Sequence, residues 1–422
     1  MRRSRLWLVG AGVLLHAVVA AATDLSPDEA YYAAWARDLH LVYPDHPPLV
    51  AWLLAALRGA FGESTFVVRL PALVTAAVLP LLLAAAAERW TRIAGGGAAD
   101  AVAAGTRAVY LASGTLFLHA LGVVTTPDTP LILAWGVALW GLLGVLSEGR
   151  PAQVVLLGLA CGLACLAKHS GWLLLLSVIG ALWRRPAAAA AVLGLTLVVS
   201  APWWAAVLGK GGGDLAFQAA RLGRPEPFRH LPAFVAGQIA LLTPGVAWVL
   251  AKCGRALRGG LAWLFWPTAL VFFLAAAWVR AEANWAAPAW LPVLVAASTQ
   301  RVPVPRWAAF SSGALVLAAH LVAIGGLPPP LPDPTARLRG WAVLGAELQR
   351  GCPEEPLAAR HYALVSELAF YAPACRPIRA VPDGRRDFFD GGPPLTGPLR
   401  LVQRSGAPLP RGCRVSGSAT RA

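Results

Sequence analysis

A chain of 422 residues that is 57% hydrophobic and 14% charged, with mean hydropathy +0.60, lies outside the range of soluble domains, which average ~45–50% apolar and ~25% charged residues. The apolar content excludes a disordered chain, and its distribution in long runs excludes an ordinary cytosolic enzyme. The net charge of +15 does not point to nucleic acid, because the basic residues fall in short loops between apolar runs, where they set membrane orientation.

A hydrocarbon core of ~30 Å needs ~20 mostly apolar residues per helix. Runs of that kind occupy 6–22, 68–88, 101–121, 130–147, 152–168, 170–183, 187–208, 232–251, 261–279, 285–299 and 307–326. They predict an all-α polytopic membrane protein of about eleven transmembrane helices, with the pair at 152–183 either one bent hairpin or two tilted helices. Arg2, Arg3 and Arg5 precede the first run. Arg89, Arg92, Arg150, Arg184, Arg185, Lys252, Arg255, Arg258, Arg301 and Arg306 fall in alternate loops. The positive-inside rule then places the N-terminus in the cytoplasm and, for an odd count, the C-terminal segment outside. The first 22 residues also read as a signal peptide with Ala20-Ala21-Ala22 at a cleavage site. An uncleaved anchor is the preferred reading, because the charged segment that follows makes best sense tethered to the membrane.

Two regions follow from this pattern. Residues 1–326 form a transmembrane domain whose large first outer loop, 23–67, is rich in Asp, Glu, Tyr, Trp and Pro. Residues 327–422 turn polar and Pro/Gly/Arg-rich and predict a small mixed α/β extracytoplasmic domain, with a strand-like run at His361-Tyr362-Ala363-Leu364-Val365 and a frayed end. Cys352, Cys375 and Cys413 lie in this tail. In an oxidising compartment any two of the three can pair; Cys352 and Cys375 bracket the most compact stretch.

The sharpest local signal is Ser26-Pro27-Asp28-Glu29-Ala30-Tyr31-Tyr32. Ser26 as N-cap, Pro27 at the first helical position and Glu29 at the third form a capping box. Tyr31, Trp35 and Leu39 then predict an aromatic face lying in the membrane interface. That account uses Glu29 and leaves Asp28 without a structural task, so Asp28, with Glu29 beside it, is the candidate catalytic group. Further on, Tyr43-Pro44-Asp45-His46-Pro47-Pro48 holds Asp45 and His46 on a stiff loop, and Thr126-Pro127-Asp128 places a third carboxylate at a helix start, where it either caps the helix or serves the site. Three proline-held carboxylate sites on one face raise the option of a bound divalent cation, with Asp28, Glu29 and Asp128 as its candidate ligands.

Cations accompany them. Arg69 opens the second run, and Lys168, one of only three lysines, stands with His169 in a Gly/Ala-rich setting. Arg221, Arg224, Arg229 and His230 fill a later outer loop, while Lys210 and Arg58 read as snorkelling groups. Glu282 and Asn284, in Glu282-Ala283-Asn284-Trp285, add polar groups to the same face. Carboxylates and cations beside a membrane describe a site for an amphiphile with an anionic head. No Walker loop or dinucleotide fingerprint is present, and nucleotides are scarce outside the cytoplasm. A transferase there needs a donor carried in the lipid, and a polyprenyl-phosphate sugar fits: a carboxylate takes the acceptor's proton while Arg and Lys stabilise the departing phosphate.

Asp28-Glu29-Ala30-Tyr31-Tyr32, Asp45-His46-Pro47-Pro48-Leu49, Val68-Arg69-Leu70-Pro71, Thr126-Pro127-Asp128 and Glu282-Ala283-Asn284-Trp285 together resemble the glycosyltransferase family 39 group of bacterial GT-C membrane enzymes, relatives of protein O-mannosyltransferases and of the lipid A aminoarabinose transferase. The likeness runs from about residue 20 to 300 and extends to Gly340-Trp341 and Arg360-His361-Tyr362 in the tail. It implies a GT-C fold in the bacterial inner membrane and inverting transfer from a polyprenyl-phosphate sugar to an envelope glycolipid, glycan or protein. It also implies a catalytic acidic residue in the first loop, here Asp28 with Glu29 beside it, and Arg69 and Lys168 as phosphate contacts; Asp45, His46, Asp128, Tyr31, Glu282 and Asn284 are the further candidate site residues. The rivals are a lipid transporter or flippase, which places ionisable groups at mid-membrane, and a non-catalytic receptor.

Overall fold

The computed structural model describes residues 2–209, 225–352, 354–381, 387–391 and 400–403; Lys210, Arg221, Arg224, Cys413 and the end of the chain lie outside them. The helices are α1 (Arg2–Ala22), α2 (Pro27–Trp35), α3 (Leu49–Phe61), α4 (Thr65–Ile93), α5 (Ala98–Ser113), α6 (Leu116–Val123), α7 (Asp128–Ser147), α8 (Pro151–Ala167), α9 (Gly171–Ala181) and α10 (Pro186–Gly209). Then come α11 (Leu231–Leu242), α12 (Pro244–Lys252), α13 (Gly259–Trp278), α14 (Trp290–Ser298), α15 (Arg306–Gly325), α16 (Trp341–Gln349) and α17 (Tyr362–Tyr371). Among the described residues three short strands, β1 (Leu357–Ala359), β2 (Arg379–Ala380) and β3 (Arg400–Leu401), form a parallel sheet in the order β2-β1-β3, with Ala358 opposite both Arg379 and Leu401.

Each of the eleven apolar runs is helical, yet among the described residues six helices (α1, α4, α7, α10, α13 and α15) are by themselves long and apolar enough to cross a membrane; the number rises to 8 if each bent pair is one span. The bent pairs are α5 with α6 (71°) and α11 with α12 (96°). The predicted hairpin at 152–183 is the two shorter helices α8, 17 residues, and α9, 11 residues. Gly158 and Gly162 let α8 and α10 approach closely: a Cβ on either would stand 2.6 Å from Leu195 or Val199, the small-residue spacing by which helices pack in lipid. A Cβ on Gly171 would stand 2.1 Å from the carbonyl oxygen of Ala164, so the sharp break between α8 and α9 depends on that glycine.

One end of the bundle is held by arginines. Arg5 pairs with Glu88 at 2.6 Å and bonds Thr106 at 3.0 Å, tying α1 to α4 and α5, and Arg89 pairs with Glu148 at 3.0 Å while lying over Trp140. A cavity of about 410 Å³ opens at this end among Trp90, Asp100, Arg107, Arg258 and Arg301, whereas the carboxylates of the first loop lie beyond the opposite end of α1.

Two sequence expectations change. His361–Val365 is not a strand: His361 caps α17, accepting from the amide of Ala363, and Val365, Ser366, Glu367 and Leu368 turn a buried face inward. Nor is the aromatic face of α2 left open to a membrane interface. Tyr31, Tyr32 and Trp35 are buried, in contact with Tyr362, Phe370 and Tyr371 of α17 and with Phe388 and Phe389; Trp35 stacks on Tyr43 with ring centroids 4.1 Å apart. Helix α2 ends at Trp35, so Leu39 lies beyond it and is exposed. The tail is thus packed directly on the first loop. Cys352 and Cys375 form a disulfide within it.

Candidate active site

The capping box predicted at α2 is present in both halves: Ser26 Oγ accepts from the amide of Glu29, and Glu29 Oε2 accepts from the amide of Ser26 at 2.9 Å. Glu29 does much more than cap. It is fully buried, pairs with the equally buried Arg69 at 3.1 Å, and accepts from the amide of Thr125 at 3.1 Å. Arg69 gives its other N–H groups to the carbonyls of Ala20, Thr23 and Asp24 and to Thr23 Oγ1. A buried ion pair persists only when its remaining donors and acceptors are met, and here they are. This corrects two expectations: Arg69 has no face for a phosphate, and Glu29 none for a substrate. Together they lock the end of α1, the start of α2 and the Thr125–Asp128 segment into one block.

That block presents Asp28. Its side chain is 37% exposed at the N-terminus of α2, where the helix dipole favours negative charge. Tyr362 donates to Asp28 Oδ1 at 2.9 Å, and Arg337 stands 3.6 Å from Oδ2. Both come from the tail; neither contact was legible in the first loop. Asp24 fastens the same tail by accepting from the amide of Trp341 at 2.7 Å, and Tyr371 accepts from the amide of Leu25 at 2.7 Å.

A second polar group forms around Asp128. It begins α7 without capping it, and its carboxylate instead accepts two hydrogen bonds from Lys168 Nζ, at 2.8 and 3.0 Å, and one from Asn284 Nδ2 at 3.2 Å. Lys168 reaches it because α8 stops there, in extended backbone. An ammonium carries three N–H donors; Asp128 takes two, which leaves one for an anionic ligand among the described contacts. Glu282 is exposed and pairs with Arg280 at 3.1 Å, apart from this group. Arg229 and His230 pair with Glu226, and Arg58 with Glu63.

Asp45 and His46 are not presented together. Asp45 is buried and accepts from the hydroxyl of Tyr31 at 2.7 Å, because a buried phenol needs an acceptor. Tyr31 in turn accepts from the amide of Phe388 at 2.9 Å. Burial, reinforced by Asp45, pushes the Tyr31 phenol well above the usual tyrosine range, so it stays protonated. His46 is half-buried, with its ring 6.4 Å from that of His169. As a metal set, Asp28, Glu29 and Asp128 do not fit: Glu29 is engaged by Arg69, Asp128 by Lys168, and among the described residues no three carboxylate, histidine or cysteine ligands converge on this face.

Residues 45–205 match the sequence profile of the dolichyl-phosphate-mannose-protein mannosyltransferase family. The lipid A galacturonosyltransferase RgtD of Rhizobium johnstonii is 25% identical over 297 residues, covering 64% of this chain; the chain spans 59% of that relative's length. Crystal structures of ArnT from Cupriavidus metallidurans share the fold, with TM-score 0.65 at 18% identity for the apo state and 0.64 at 16% for the state bound to undecaprenyl phosphate, each covering 90% of this chain and 86% of that one. The resemblance to GT-C membrane glycosyltransferases read from the motifs is borne out.

Proposed function

We propose that this chain is an inverting membrane glycosyltransferase that moves a sugar from a polyprenyl-phosphate carrier to a hydroxyl of an envelope glycolipid, glycan or protein, on the extracytoplasmic face of the bacterial inner membrane. The observation that carries the reading is Asp28: a partly exposed carboxylate with no capping task, set at a helix N-terminus and aimed by Tyr362. In the proposed step the acceptor O–H gives its proton to Asp28 as its oxygen bonds to the anomeric carbon. The bond from that carbon to the phosphate oxygen breaks on the opposite side, which inverts the centre, and the phosphate leaves on its lipid. Lys168 supplies positive charge for the leaving group.

The relatives support the donor class: one profile is named for a dolichyl-phosphate mannosyltransferase, RgtD for lipid A galacturonosyl transfer, and one ArnT structure holds undecaprenyl phosphate. Against a transporter stands the placement of charge, since the ion pairs among the described residues sit at helix ends and in loops. Mass spectrometry of envelope glycolipids and glycoproteins from cells with and without the gene tests the proposal. Loss of one glycoform on deletion, restored by complementation, is the expected result; identical glycan profiles contradict it.

A further inference from the structure

We infer that His16, His119 and His320 form a transition-metal site inside the bundle, a site for Zn2+ or a similar imidazole-seeking ion that ties three helices together beneath the Asp28 face. The inference stands on the geometry of the three rings and not on the glycosyl-transfer reading. His16 comes from α1, His119 from α6 and His320 from α15; all three are buried, and one ring nitrogen from each lies within 4.8 Å of the others. The ring centroids are 4.9, 5.3 and 5.1 Å apart.

The hydrogen bonds around the rings select the ligand atoms. His119 Nε2 donates to the carbonyl of Ser113 at 3.0 Å, and His320 Nδ1 donates to the carbonyl of Val316 at 2.7 Å. A carbonyl only accepts, so each bond fixes the tautomer and turns the unprotonated nitrogen, Nδ1 of His119 and Nε2 of His320, to the centre. Metal-binding imidazoles are held by their second nitrogen in this way. His16 Nδ1 faces the bare Cα of Gly122, where a Cβ would stand 2.7 Å away, which leaves Nε2 as its ligand atom. His16 Nε2 is 2.8 Å from His119 Nδ1. That pair opens by roughly half an ångström to share an ion ~2.0–2.1 Å from each nitrogen.

The bland alternative is a hydrogen-bonded trio in the core. It satisfies the His16–His119 pair but leaves His320 Nε2, as well as His16 Nδ1, buried with no hydrogen-bond partner; such groups are costly in an apolar interior, and a metal at the centre takes up the first of them. A small cavity of about 30 Å³ adjoins His16 and His119, bordered also by Gly12, Thr75 and Ser113. Three imidazoles and one oxygen make a familiar tetrahedral zinc set. The placement gives the ion a task. Helix α1 leads into Asp28, α6 into Thr125–Asp128, and α15 into the tail that carries Arg337 and Tyr362. His16 precedes the end of α1 by six residues, roughly 9 Å along the axis, so the ion staples together the three roots of the site without reaching its chemistry.

The test uses the full chain in nanodiscs, purified without a polyhistidine tag, stripped with chelator and equilibrated with zinc alone. Retained metal is measured by mass spectrometry and thermal unfolding is followed with and without zinc. About one zinc per chain and a raised Tm are expected, with His119→Gln and His320→Gln each lowering affinity by more than ~10-fold and losing the Tm shift. No retained zinc in the parent protein, or equal retention in folded variants, overturns the site. Should the variants fail to fold, cobalt substitution of the parent protein decides. Four-coordinate d–d bands without thiolate charge transfer support it. Absent bands, or a thiolate band from Cys161, Cys165 or Cys253, refute it.

Discussion

Tyr362 donates its phenolic hydrogen to Oδ1 of Asp28 at 2.9 Å, joining two residues 334 positions apart in the chain. The contact makes the tail part of the site: the first loop supplies the carboxylate, and α17 sets its direction. A hydrogen bond to a charged group is worth ~1.5–3 kcal/mol. Tyr362→Phe is therefore expected to lower kcat by roughly 10- to 100-fold in a protein that still folds, with a loss of stability no larger than that bond supplies. An unchanged kcat in the folded variant removes Tyr362 as a positioning residue.

Arg69 and Glu29 make a different forecast. Their pair is fully buried, and removing one partner of such a pair costs ~3–5 kcal/mol because the other charge is stranded. Arg69→Ala and Glu29→Ala are each expected to destabilise the protein to that extent. The double variant should lose less than the sum, as coupled groups do. Chemical unfolding in detergent measures this. Native stability of Arg69→Ala together with weakened donor binding would return Arg69 to the phosphate site.

Lys168 has one N–H donor left for a ligand among the described contacts. Lys168→Met is expected to raise KM for the lipid-linked donor about tenfold, the scale of one charge-assisted hydrogen bond, and Asn284→Ala to change it little. Steady-state kinetics over a range of donor concentrations check both. An unchanged KM for Lys168→Met places the phosphate elsewhere.

Three buried tyrosines of the loop–tail contact and the partly buried Tyr371 predict a pH response. Burial pushes the phenols of Tyr31, Tyr32, Tyr43 and Tyr371 above their ordinary value of 10.0, with Asp45 adding to the effect at Tyr31. An acid whose folded pKa is raised contributes stability that is complete below its unfolded pKa and is lost as pH rises above it. The loop–tail contact should hold through neutral pH and weaken above about pH 10, and Tyr31→Phe should flatten that slope. Tm measured from pH 7 to 11 tests it; a flat parent profile contradicts it.

What was readable in the sequence is local. The capping box lies within four residues, and each apolar run announces a helix, so both were legible. The number of spans was not, because hydropathy alone does not mark the breaks at Lys168, at Thr243 or between α5 and α6. The roles within the first loop also needed the third dimension. Glu29 and Arg69 both carry charge and look like site residues; only their mutual burial reveals a structural pair. Asp45 seemed displayed by its prolines, whereas Tyr31 claims it from inside. The aromatic face of α2 signals burial equally well against lipid or protein, and what covers it lies more than three hundred residues away. Histidines such as His16 and His119, 103 residues apart on apolar helices, give no local sign of meeting.

The most direct test of the central claim is single-turnover transfer by Asp28→Asn, with a polyprenyl-phosphate sugar as donor and binding of that donor measured on the same preparation. The account predicts a folded protein that binds the donor as the parent does and transfers sugar at least ~1,000-fold more slowly. Transfer at the parent rate would show that Asp28 does not accept the proton.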